Sequence, residues 1–166
     1  MQVTIRPLEE NDAYTSVKWR NNSSVFKYTG TVYKDEITIE NELKWIRKVC
    51  ANPNDYRCAI IVDGVYVGNI YLTDIDGISA HYHIFIGNEE YWGKGVAKQA
   101  SKLILSYAFN VLKLEFVKLR VRKENISAFM LYKKLGFKVD SEDDVWISMS
   151  IKRYSICDLD GFGQSD

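Results

Sequence analysis

The sequence predicts an α/β fold in which helices pack on a mixed, mostly antiparallel sheet, and three observations predict it. Several short runs rich in β-formers are separated by turn residues. The clearest pair, residues 57–62 and 65–72, brackets Asp63-Gly64, a dipeptide that tolerates the positive φ angles of a tight hairpin. Two longer segments place apolar residues three and four positions apart, the spacing of one buried helix face. Read in order, the elements run βααβββαβαββ, with no internal repeat and no low-complexity segment.

Residues 3–7 alternate apolar and polar and stop at Pro7, as a first strand would. One or two polar helices are expected next. Over residues 37–49, Ile39, Leu43, Ile46 and Val49 share one helix face, until Asn52-Pro53-Asn54-Asp55 breaks the pattern. After the hairpin, a turn at Asp76-Gly77 leads into a strand over residues 80–86. The longest helical stripe joins Val96, Ala97, Ala100, Leu103, Ile104, Tyr107, Ala108 and Val111. Residues 115–122 read as a strand and residues 126–135 as a short helix closed by Gly136; Val139 and residues 145–151 give two last strands.

At 166 residues, 46% of them hydrophobic, the chain can bury one core and is too short for two ordinary domains. The expected division is one domain over residues 1–152 and a tail over residues 153–166. The tail is compatible with covering a sheet edge, pairing with another subunit, or disorder.

Lysine plus arginine number 22 and so do aspartate plus glutamate, which removes any general affinity for nucleic acid or an anionic membrane. Cys50, Cys58 and Cys157 form no CxxC pair and leave an odd count, against both a disulfide framework and a zinc site. Residues 1–6 lack the basic and apolar regions of a signal peptide, and no run of about 18 apolar residues occurs. The expectation is a soluble protein of a reducing cytoplasm.

The segment Tyr91-Trp92-Gly93-Lys94-Gly95-Val96-Ala97 follows a strand and opens the longest predicted helix. A helix start leaves backbone N–H groups without internal partners and gathers partial positive charge from aligned peptide dipoles, so it can seat a pyrophosphate. Gly93 and Gly95 remove side chains that would hold a phosphate off the backbone. Alone, Gly-x-Gly is read equally well as a turn that packs helix on strand; it is neither GxGxxG nor a GKS/GKT phosphate loop.

A second signature follows the next strand: Asn125-Ile126-Ser127-Ala128-Phe129-Met130-Leu131-Tyr132-Lys133-Lys134-Leu135-Gly136-Phe137. Together the two segments resemble the GNAT superfamily of N-acetyltransferases, and the resemblance extends over residues 3–151. It implies a sheet of about seven strands flanked by about four helices, with two central parallel strands, here residues 81–86 and 115–122, splayed apart. It implies acetyl-coenzyme A (acetyl-CoA) as co-substrate, its pyrophosphate on amides of Trp92, Gly93, Lys94, Gly95, Val96 and Ala97, its pantetheine arm against Ile84, Phe85 and Ile86. Asn125 matches a family asparagine that touches that arm, with helix capping as the alternative role. Tyr132 matches a tyrosine near the departing sulfur, with core packing as the alternative. Glu90 departs from the glutamine or arginine the family usually carries three residues before the first loop glycine, and sets an acidic residue near the phosphates.

The reaction implied is direct attack of a primary amine on the thioester, which requires neither a metal nor a covalent enzyme intermediate. An alkylammonium with a pKa of about 10.4 is rarely deprotonated at pH 7, at a cost of roughly 4–5 kcal/mol, so a base would help. His81 and His83 share one face of their strand, and His81 stands where many relatives carry a glutamate implicated as base. A hydrogen-bonded sheet histidine is the competing role. Glu89 and Glu90 are weaker candidates, read more simply as solvated turn residues.

Val17-Lys18-Trp19-Arg20-Asn21-Asn22 resembles a Trp-Arg-Asn stretch in the GNAT branch that includes ribosomal-protein alanine and nucleotide-amino-sugar acetyltransferases. The resemblance puts Trp19 and Arg20 at the acceptor pocket, Arg20 pairing with a phosphate, and His83, on the same strand face as His81, is a further candidate there; Trp19 reads equally as a core anchor. The acceptor class is an amino-sugar nucleotide or a protein N-terminus. Zero net charge makes a polyamine less favoured than it would be for a very acidic protein. A homodimer is expected because family members often dimerise. The competing functional class is a non-catalytic acyl-CoA-binding sensor or interaction module, and a third is a plain structural or adaptor domain whose glycine turn binds nothing.

Overall fold

The computed structural model describes residues 1–27 and 34–154. Among them, β1 (Val3–Pro7), β2 (Tyr56–Val62), β3 (Val65–Thr73), β4 (Ser79–Ile86), β5 (Phe116–Arg122), β6 (Lys138–Glu142) and β7 (Trp146–Lys152) form one sheet in the order β1-β2-β3-β4-β5-β7-β6. Every neighbouring pair is antiparallel except β4 and β5, which run parallel. The helices are α1 (Ala13–Arg20), the single turn α2 (Ser23–Phe26), α3 (Ile39–Cys50), α4 (Val96–Ser106) and α5 (Ile126–Leu135). The seven-stranded mixed sheet with its parallel central pair is the GNAT architecture that the sequence implied, with five helices instead of about four.

Strand alternation gives the sheet two unlike faces. On one, Cys58, Ile60, Ile70, Leu72, Tyr82, Val117, Leu119 and Met149 join α4 and α5 residues in the main buried core. On the other, Ala59 packs with Leu8, Ala13 and Ile46 beneath the N-terminal helices. A fully buried aliphatic side chain contributes about 1.5–3 kcal/mol relative to exposure, so these two clusters fix the layers.

Local signals account for the helix ends. Thr38 caps α3, its side chain accepting from the Asn41 amide at 3.2 Å, and Asn125 caps α5 by accepting from the Ala128 amide at 3.2 Å. Gly136 closes α5 at φ +102°, in the left-handed region that favours glycine.

The predicted stripe on the long helix needs correction. Val96, Ala100, Ile104 and Ala108 are buried, but Leu103 and Val111 are exposed, and Leu105 and Phe109 are buried in their place. Leu103 and Leu105 exchange places within α4 itself, whereas at Val111 a π-helical turn over Tyr107–Val111 shifts the periodicity that an uninterrupted helix would have kept. Residues 155–166, and Cys157 with them, lie outside the described residues, so the expectations for the tail stay as stated.

Candidate active site

β4 and β5 pair over three positions only: Ser79 with Phe116, Ala80 with Val117 and His81 with Lys118. Beyond His81 both strands continue without pairing to each other, and a cleft of about 1320 Å³ opens there. Tyr82, Ile84, Phe85 and Ile86 of β4 line it, as do Arg120 and Arg122 of β5.

The start of α4 forms one end of the cleft, through Gly93, Gly95, Val96 and Ala97. Gly93 and Gly95 take φ of +69° and +78°, and a Cβ on either would meet nothing within 4 Å. Conformation, not crowding, requires glycine at both, and the backbone there faces open space. Among the described residues no side chain caps α4, which leaves its first-turn amides for another partner. Trp92 helps to fix the loop, its indole N–H donating to the Ile86 carbonyl at 2.8 Å. Lys94 does not line the cleft and holds its ammonium 5.6 Å from the Tyr91 ring centroid.

Asn125, Ala128 and Tyr132 bring α5 to the same cleft. The Asn125 side chain is engaged as the helix cap, the simpler of its two expected roles. Tyr132 is buried edge-on against Tyr82, ring centroids 5.7 Å apart, and burial pushes its pKa up, so the hydroxyl keeps its proton.

The opposite side of the cleft is a chamber between the sheet and the N-terminal helices. His81 and His83 both line it. The His83 Nε2 lies 3.0 Å from Thr73 Oγ1, and its pKa is lowered, first by desolvation and then by Arg57. Although His83 exposes surface to the cleft, the surrounding protein keeps its ring neutral.

Arg20 stacks over Trp45, its guanidinium carbon 3.8 Å from the ring centroid, and its Nε pairs with Glu42 at 2.9 Å. Glu42 is almost fully buried and also accepts from Ser16 Oγ at 2.6 Å. Arg57 pairs with Asp55 at 2.7 Å and lies 4.5 Å from the Tyr71 ring centroid. Trp19 is not part of this wall. It is buried, 4.7 Å from Tyr66 and 6.1 Å from Phe85 by ring centroids, so it serves as the core anchor and not as a pocket residue.

Trp45, Arg57 and Tyr71 were not anticipated from the sequence, and neither were Arg120, Arg122 and Trp146. The basic set had a signal: Lys118, Arg120 and Arg122 alternate strictly with Val117, Leu119 and Val121, which marks a charged strand face.

Residues 2–138 match the family described as "Acetyltransferase (GNAT) domain". The chain belongs to the GNAT acetyltransferases. It is 35% identical over 143 residues to the spermidine N(1)-acetyltransferase of Escherichia coli (strain K12), an alignment covering 84% of this chain and 75% of that protein. To acetyltransferase PseH of Campylobacter jejuni it is 26% identical over 136 residues, covering 82% and 83%. In fold it resembles the Vibrio cholerae spermidine N-acetyltransferase solved in complex with CoA and spermine, with a TM-score of 0.84 at 24% identity, covering 95% of this chain and 99% of the other. As a GNAT enzyme the chain is an acetyl-CoA-dependent N-acetyltransferase.

The described residues fit that co-substrate. Open left-handed glycines, an uncapped helix start and the gap between β4 and β5 form one continuous path. No helix of the described residues is long and apolar enough to cross a membrane, and no group of three or more His, Cys, Asp or Glu among them could hold a metal ion.

Proposed function

We propose that the chain acetylates the amino group of a sugar carried on a nucleoside diphosphate. The observation that supports this acceptor is the charge of the cleft wall. Among the described residues it holds Arg20, Lys27, Arg57, Lys98, Arg120 and Arg122 against two carboxylates, Asp55 and Asp74. Asp55 is already paired with Arg57, and the nearby Glu42 with Arg20. A polyamine needs carboxylates to receive its ammonium groups, whereas an anionic acceptor suits surplus cations.

When bound, acetyl-CoA supplies an activated acetyl thioester to the attacking amine. Trp92 to Ala97 amides and the α4 dipole hold the pyrophosphate, and Ile84, Phe85 and Ile86 flank the pantetheine arm. His81, at the point where the strands part, takes the proton from the acceptor amine. Tyr132, kept protonated by burial, gives a proton to the leaving sulfur. His83 and Arg20 line the acceptor side, and the reaction takes place in the cytoplasm.

Following thiol release with acetyl-CoA and a panel of amines tests this reading. The panel comprises an amino-sugar nucleotide, a peptide with a free N-terminus, spermidine and spermine. Release with the amino-sugar nucleotide alone supports it. The spermidine N(1)-acetyltransferase relative gives the second reading, a polyamine acceptor, and release with spermidine in preference to the sugar nucleotide would replace the first. Tight acetyl-CoA binding with no release from any amine would favour a sensor.

A further inference from the structure

Among the described residues, the half of the sheet formed by β5, β7 and β6 is covered on one face only. Val117, Leu119, Val121, Ile147, Met149 and Ile151 are all buried in the core. The alternate positions are not: Arg120 is exposed, and Lys118, Arg122, Trp146, Ser148 and Ser150 are partly exposed. Register places these residues side by side, because Arg122 pairs with Trp146, Arg120 with Ser148 and Lys118 with Ser150. The parallel pairing of His81 with Lys118 puts this open face on the side of the sheet that carries His81 and His83. It is the continuation of the acceptor chamber, and Arg120, Arg122 and Trp146 line the cleft itself.

Its chemistry is specific. Trp146 lies against two guanidinium groups, with Arg120 at 4.7 Å and Arg122 at 5.4 Å from its ring centroid. Among the described residues the Arg122 Nε is buried without a hydrogen-bond partner. A buried donor without a partner is costly, so a small shift of the guanidinium toward a ligand oxygen would be favoured. Among the described residues, little opposing charge offsets the row: Asp143 reaches Arg120 only at 3.9 Å, Glu142 is directed to Lys123 at 3.6 Å, and Asp140 accepts from Ser150.

We infer that this open face is a second recognition site, in which Arg120 and Arg122 bind the phosphates of a nucleoside diphosphate while its base stacks on Trp146. The inference deepens the proposed acceptor and rests on that reading. Two features choose a nucleotide over other anions: paired guanidinium forks match phosphate oxygens, and the partly exposed Trp146 ring beside them offers an aromatic surface for a flat base. Its continuity with the cleft means that a sugar amine could reach His81 while the phosphates stay on β5.

Calorimetric titration with uridine diphosphate, in the presence of saturating CoA, tests the site directly and separately from turnover. The expected result is binding to the wild-type protein, weakened about tenfold or more in Arg120→Glu, an exposed position, with an unaltered denaturation midpoint as the control for folding. Affinity for CoA, read in parallel titrations, should change less than affinity for uridine diphosphate. Arg122→Lys, which keeps the charge and loses the fork, should weaken uridine diphosphate less than Arg120→Glu. No binding, binding that CoA displaces, or equal binding by wild type and Arg120→Glu would each overturn the inference. So would an Arg120→Glu variant whose only change is a smaller mass by light scattering, which would make the face a contact between copies. If uridine diphosphate binds as expected but no amino-sugar nucleotide is acetylated, the recognition site stands and the proposed reaction falls.

Discussion

Trp19 covers Gly87 so closely that a Cβ placed on the glycine would overlap the indole ring. The contact ties the end of α1 to the residue that follows β4, beside the cleft, and it explains why a tryptophan expected in the pocket is in the core instead. Gly87→Ala should therefore destabilise the fold by roughly 1–3 kcal/mol through overpacking, read as a lower denaturation midpoint in urea. The pair Gly87→Ala with Trp19→Phe should recover part of the loss, because the smaller ring gives way. Simple additivity of the two changes would show that the contact matters less than its geometry suggests.

Gly95 presents the opposite case, an open position held at φ +78°. Gly95→Ala introduces no clash but forces an L-residue into the left-handed region, at about 1–2 kcal/mol. The expected result is a raised KM for acetyl-CoA with a smaller change in kcat. Gly95→Asn, which tolerates that region better, should restore part of the loss.

On the proposed mechanism Tyr132→Phe should lower kcat by about 10²–10⁴-fold while the affinity for acetyl-CoA stays the same. Because burial raises the Tyr132 pKa, the wild-type rate should show no loss from its ionisation up to about pH 10. Equal rates for the two proteins, with chemistry rate-limiting, would take Tyr132 out of the reaction.

His81→Ala should slow the reaction most near neutral pH, by about 10²-fold or more, and progressively less as the pH approaches the amine's own pKa of about 10.4. A loss of the same size at every pH would give His81 a positioning role instead.

His83 couples folding to pH. Its pKa is lowered in the folded protein, so the unfolded chain takes up a proton first as the pH falls below its ordinary value of about 6.5. The stability this ring contributes is complete above that value and is lost as the pH drops towards the folded pKa. In His83→Gln the denaturation midpoint should vary less with pH across that window; an unaltered profile would assign the effect to other groups.

How much of this was legible in the sequence depended on distance along the chain. The 126–135 helix was read to its ends because Asn125, its apolar spacing and Gly136 act within a few residues of one another. The hairpin at Asp63-Gly64 and the glycine loop before α4 were legible for the same reason. The long stripe failed at Val111 because a π-helical turn has no signature in periodicity alone.

The sequence by itself determined the family, the sheet and the glycine-loop end of the cleft, since each depends on contiguous segments whose backbone preferences are local. Only the tertiary structure decided the opposite side of the cleft. Trp45 on α3, Arg57 on β2, Tyr71 on β3 and Trp146 on β7 meet around one opening because hydrophobic burial stacks their elements, and no local pattern records that meeting. The same packing took Trp19 out of the pocket and left Arg120 and Arg122 on an open face.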